Sequence, residues 1–216
     1  GHCKMLEEII WNPVEVKNEV AALGLDIEGL IDCVRYADRE KSFVTDNDAL
    51  GFGSMVVYDK AGRALRETYL SDIWIKDDSH NQCAIKNPEK MIRVVPCNFD
   101  QHAGNRLVRP TNKSPKGEIS RKKSMCNKTA WLPGFSQQEV SNDDGYQTWV
   151  LGMFTDDYRP TTAELSLPIA FDGQYFTDFG KRIMLITNDG KSIVDHKIDD
   201  KTDDAVESVD IEIRRR

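Results

Sequence analysis

The sequence predicts an α+β fold. A mainly antiparallel sheet of about five or six strands forms from the C-terminal two-thirds, and N-terminal helices pack on one of its faces. Three observations carry this. In TAELSLPIA, Ala163, Leu165, Leu167 and Ile169 share one face of a strand while Glu164 and Ser166 face away. In SVDIEIRRR, Val209, Ile211 and Ile213 alternate with Asp210, Glu212 and Arg214 in the same way. Near the start, by contrast, apolar residues recur at helical spacing behind recognisable caps.

Taken in order, Asn12-Pro13 supplies a cap and a first-turn proline ahead of Val14, Val16, Val20 and Leu23, and Gly24 stops the run. Asp26 opens a second helix through Ile27, Leu30, Ile31, Val34 and Ala37, antiparallel to the first. The segment 51–70 fits either a helix or a hairpin. Its LRETYL end does not alternate, so a helix is expected. From about Ile73 the character turns to strands, with CAIKN and MIRVVPC flanking the turn Asn87-Pro88-Glu89-Lys90 as a hairpin. A loop rich in Asn, Gly and Pro runs from Asn98 to Ser114. Ser114-Pro115 then caps a helix expected to reach about Thr129. YQTWVLGMF and RIMLI read as buried strands, and 189–204 as an acidic, solvated loop. There is no internal repeat. The whole of 1–216 reads as one domain, helical over about 5–70 and sheet-forming over about 73–216.

Composition sets the class. Of 216 residues, 39% are hydrophobic and 30% charged, which fits a globular chain rather than a disordered one. No apolar run approaches the roughly 18 residues of a spanning helix, so no membrane association is expected. The opening GHCKMLEEII lacks the pattern of a signal peptide. Gly1 and His2 read as remnants of a cloning tag, with native sequence from near Met5. Five scattered cysteines (Cys3, Cys33, Cys83, Cys97, Cys126) form no disulfide framework and read as reduced thiols of a cytoplasmic, bacterial or phage-like protein.

The net charge of −7 is unevenly spread. Between Lys76 and Pro133, 12 Lys/Arg stand against 5 Asp/Glu, which leaves 17 against 31 elsewhere. This polarity favours an anion near the middle of the chain. The stretch RPTNKSPKGEISRKKSM concentrates it. Lys113 and Lys116 fall at a helix N-terminus, where cations are unfavourable unless an anion is bound. Arg106, Arg109, Ser114, Arg121, Lys122 and Lys123 complete the candidate anion-binding set. The plainer reading of the same run is a solvated amphipathic face.

Two other chemistries are weaker. His80-x2-Cys83 and Cys97-x4-His102 offer four zinc-type ligands, but the His-Cys-Cys-His order is unusual and no glycine knuckles surround them. Asp210, Glu212 and an outward-facing Glu164 are the carboxylates a metal-dependent hydrolase or nuclease would use, though alternating charge on a wet strand explains them as well. There is no G-x-S-x-G, H-E-x-x-H or phosphate loop, and Gly51-Phe52-Gly53 is no dinucleotide fingerprint. No cofactor is implied. The leading expectation is a non-enzymatic protein that binds an anionic partner, nucleic acid or an acidic protein, through 106–123. A homodimeric interaction module is the first alternative and the hydrolase the second.

Overall fold

A computed structural model describes residues 6–114 and 144–196. In these, a seven-stranded mixed sheet carries three helices. Strand β1 (Glu8–Ile10) leads into α1 (Pro13–Ala22), α2 (Ile27–Lys41) and α3 (Phe52–Tyr69). Then come β2 (Ile75–Asp77), β3 (Ala84–Asn87), β4 (Ile92–Asn98), β5 (Gln147–Phe154), β6 (Thr162–Phe171) and β7 (Phe176–Ile186). Across the sheet the order is β1-β7-β6-β5-β4-β3-β2. The expected α+β class holds, and the residues of 51–70 form the helix rather than the hairpin.

Two details differ from expectation. The sheet has seven strands, and two of its pairings, β1 with β7 and β4 with β5, are parallel. Strand β1 is only three residues long, too short to show a period, and lies in a stretch whose other signals are helical. The β3–β4 hairpin forms as read, with Ile85 opposite Val94. Pro96 is tolerated in β4 because it lies past the end of the β3 ladder. SVDIEIRRR and the helix expected after Ser114 lie outside the described residues.

The helices form because their caps and apolar stripes agree. Asn12 Oδ1 accepts from Val14 N at 3.0 Å, and Asp26 Oδ2 accepts from Gly29 N at 2.7 Å. Val16, Val20, Leu30, Val34, Val57 and Leu65 face the sheet and meet Val94, Leu151, Leu165, Leu167 and Ile183 in the main core. Each such side chain contributes roughly 1.5–3 kcal/mol when fully buried. Trp74 and Trp149 belong to this core, whereas Trp11 is half exposed.

The opposite face of the sheet is also covered. Residues 99–114 fold back across it, pinned by Phe99 N to Met153 O at 2.8 Å and Lys113 N to Asn98 O at 2.8 Å. Phe99, Phe176 and Phe179 fill the space beneath, with Phe99 and Phe179 edge-to-face at 5.9 Å. Gly152 makes room for this cluster, since a Cβ there would stand 2.2 Å from the Phe99 ring.

Because both faces are covered, polar residues of the sheet's second face are buried too. Arg93 Nε donates to Asp77 Oδ2 at 2.5 Å, and its guanidinium also holds Asp144. Burial alone would push the Asp77 carboxyl up, but hydrogen bonds from Ser79 and Arg93 hold it well below the ordinary carboxylate range. A depressed carboxyl contributes stability that is fully present above its unfolded value and is lost as pH falls towards the folded one. We therefore expect the stability gap between the native protein and Asp77→Asn to shrink between about pH 5 and about pH 3, as followed by urea unfolding. A gap unchanged over that range would show that the Asp77 charge carries none of it.

Candidate functional site

The cations of the middle segment separate once they are placed in the fold. Arg109 is spent on carboxylates: its Nη2 lies 3.1 Å from Asp178 and its Nε 3.5 Å from Glu7, while Nη1 donates to Thr177 O. Lys113 lies over the start of α3, its Nζ 3.4 Å from Ser54 Oγ. The Ser114 carbonyl accepts from Asn112 Nδ2 at 2.5 Å. Lys116, Arg121, Lys122 and Lys123 lie outside the described residues. Arg106 is different. Its guanidinium carbon stands 4.1 Å from the centroid of the Trp11 ring, and no carboxylate among the described residues pairs with it.

Arg106 and Trp11 border a cavity of about 500 Å³, within the range of small-molecule sites. Its position follows from the parallel pair at one edge of the sheet, the edge strand β1 and its neighbour β7. Strand β1 ends at Ile10 and runs through Trp11 and Asn12 into α1, and β7 ends at Ile186 and runs into Thr187. The cavity thus lies beyond the carboxyl ends of a parallel pair, where open α/β sheets bind ligands. The α1 amide groups nearest to it are already taken: Asn12 Oδ1 accepts from Val14 N and Glu15 N. Among the described residues that line the cavity, Arg106 is the one arginine or lysine.

Across the cavity, the turn after β7 supplies Thr187, Asp189 and His196. Thr187 Oγ1 donates to Asp189 Oδ1 at 2.7 Å and stands 2.7 Å from His196 Nε2. Burial acts to raise the Asp189 carboxyl, but Thr187 and the Lys191 amide more than offset it and hold it below the ordinary range. Asp189 is thus ionised at neutral pH.

What fixes Arg106 is buried charge beneath it. Glu164, expected to face outward, is fully buried, because residues 99–114 cover that face. Arg182 Nε and Nη2 bond its two carboxylate oxygens at 2.8 and 2.7 Å. Ser166 Oγ and Gly104 N also donate to it, and Arg182 Nη2 reaches Asn105 O at 2.9 Å. Two bonds of this cluster therefore clamp the backbone directly before Arg106. As placed, Glu164 is committed to Arg182 rather than offered to a cation.

The weaker metal candidates do not assemble. Cys97 is buried with the phenylalanines, Cys83 lies against Gly62, and His102 stands beside Gln101. No three His, Cys, Asp or Glu side chains among the described residues converge as a metal site would need. Asp210 and Glu212 lie outside the described residues. No helix among the described residues is long and apolar enough to cross a membrane.

Comparison with protein-family models, with curated proteins and with solved structures finds no match. Trp11 and His196 were absent from the sequence-based site. Nothing local marks them, since Trp11 meets Arg106 only through the parallel edge pairing of β1.

Proposed function

We propose that this protein is a non-enzymatic binding protein for an anionic ligand, with Arg106 as its anchoring cation. One observation carries the reading: within a cavity of ligand size, Arg106 is stacked on Trp11 and not neutralised by any carboxylate among the described residues. An arginine already held against an indole loses less freedom when it forms a bidentate bond to a carboxylate or phosphate. The remaining candidates, Arg109, Lys113, Ser114, Lys116, Arg121, Lys122 and Lys123, would extend this to a polyanion such as nucleic acid only if their charges are free. Arg109 has two carboxylates against it, which favours a compact ligand at Arg106.

The test is a titration with hydrocinnamate and with inorganic phosphate, followed through the indole N–H resonance of Trp11. The expected result is a saturable shift with at least one anion, weakened about tenfold or more in Arg106→Gln. Equal affinity in Arg106→Gln, or no shift with either anion, would overturn the proposal.

A further inference from the structure

Arg106 is not the only charged side chain that borders the cavity. Asp189 takes both of its turn bonds, from Thr187 Oγ1 and from Lys191 N, on the single oxygen Oδ1. His196 Nε2, at 3.8 Å, also faces Oδ1, while Oδ2 has no hydrogen bond among the described residues and the side chain remains 46% exposed. Arg106 and Asp189 border one cavity yet form no ion pair with each other. Two opposite charges that fail to neutralise one another across a pocket form a dipole, and a dipole favours a ligand of the reverse polarity. Pro13, Met184 and Ile193, with the Trp11 ring, supply the apolar part of the wall, and Asn12, Asn188 and His196 add polar groups.

Resting on the anion-binding reading above, we infer that the cavity takes a small zwitterion with an apolar body, of the chemical class of an apolar α-amino acid. Its carboxylate meets the Arg106 guanidinium. Its ammonium donates to Asp189 Oδ2, and its apolar part lies against Met184, Ile193 and Trp11. Oδ1 stays with the turn, so the turn need not open for the ligand to bind.

Three probes with the same ring separate the parts: L-phenylalanine, hydrocinnamate without the ammonium, and phenethylamine without the carboxylate. Affinities are read by calorimetry and by the Trp11 indole resonance. Phenylalanine is expected to bind about tenfold or more tighter than either truncated probe, since each lacks one charge-assisted bond. Asp189→Asn keeps an oxygen for the turn but removes the charge. It should cost phenylalanine about tenfold and leave hydrocinnamate unchanged or tighter. If hydrocinnamate binds as tightly as phenylalanine, or Asp189→Asn weakens both alike, the zwitterion inference falls and the anion reading stands. If phenethylamine matches phenylalanine, or none of the three binds at millimolar concentration while phosphate does, the zwitterion inference likewise falls. If neither phosphate nor any of the three binds, both readings fall together.

Discussion

Arg182→Met should lower folding stability by about 3–5 kcal/mol, the range for removing one partner of a buried ion pair. The arginine is 1% exposed and Glu164 0% exposed, so the substitution leaves a carboxylate away from water. Among the described residues, that carboxylate keeps only Ser166 Oγ and Gly104 N as donors. Two neutral donors do not replace a bidentate guanidinium. Replacing both charges, as Glu164→Leu with Arg182→Met, removes the stranded charge and should recover part of the loss. Recovery stays incomplete because the Gly104 amide and the Asn105 carbonyl then lose their partners, at roughly 1–3 kcal/mol for each buried group left unpaired. Urea unfolding at neutral pH measures both variants. A single variant within about 1 kcal/mol of the native protein would show that this pair is solvated rather than buried. The same variants bear on function, since the lost bonds are the ones that hold the backbone before Arg106. A folded double variant should therefore show a broadened Trp11 indole signal and weaker anion binding, even though Arg106 itself is untouched.

That coupling explains which parts of the molecule could be read from the chain. The strand around Leu165, the hairpin through Asn87 and the capped helices at Asn12 and Asp26 were readable because each needs only local period and turn chemistry. Parallel pairing of β4 with β5 was not. Both strands are buried on both faces, so nothing in either fixes the direction of its neighbour. Glu164 was misjudged for a related reason. Alternation in TAELSLPIA tells which residues share a side but not whether that side is wet. The second side is closed by residues 99–114, a segment read simply as a loop. Of the candidate site, Arg106 was readable as a cation in a basic region. Its separation from Arg109 was not, because it depends on where Trp11, Glu7 and Asp178 fall in three dimensions.

Gly104→Ala should be at least as damaging locally, and it probes the same clamp from the backbone side. Gly104 has φ +72°, a left-handed conformation that costs an L-residue with a Cβ about 1–2 kcal/mol. Space is the larger problem. A Cβ at this position would stand 2.3 Å from the Ile186 carbonyl oxygen and 3.2 Å from Thr162 Cβ. The first of these is backbone at the end of β7, where the strand pairs with Ala163 of β6, so it cannot swing aside as a flexible side chain would. Relief must come from moving the 103–106 segment outward. That movement breaks the 2.8 Å bond from Gly104 N to Glu164 and draws Arg106 away from Trp11. Conformational strain, the clash and the lost buried bond together should lower stability by about 3 kcal/mol or more. Because the two substitutions act on one carboxylate, Gly104→Ala in the Glu164→Leu, Arg182→Met background should cost less than in the native protein. Gly152→Ala provides the contrast. It also meets a tight neighbour, but that neighbour is the Phe99 ring, so Phe99→Leu should restore much of the loss there and nothing at Gly104. Full additivity of Gly104→Ala with the loss of the ion pair would show that the turn and the buried charge stabilise the fold independently, and Arg106 would then owe its position to the turn alone.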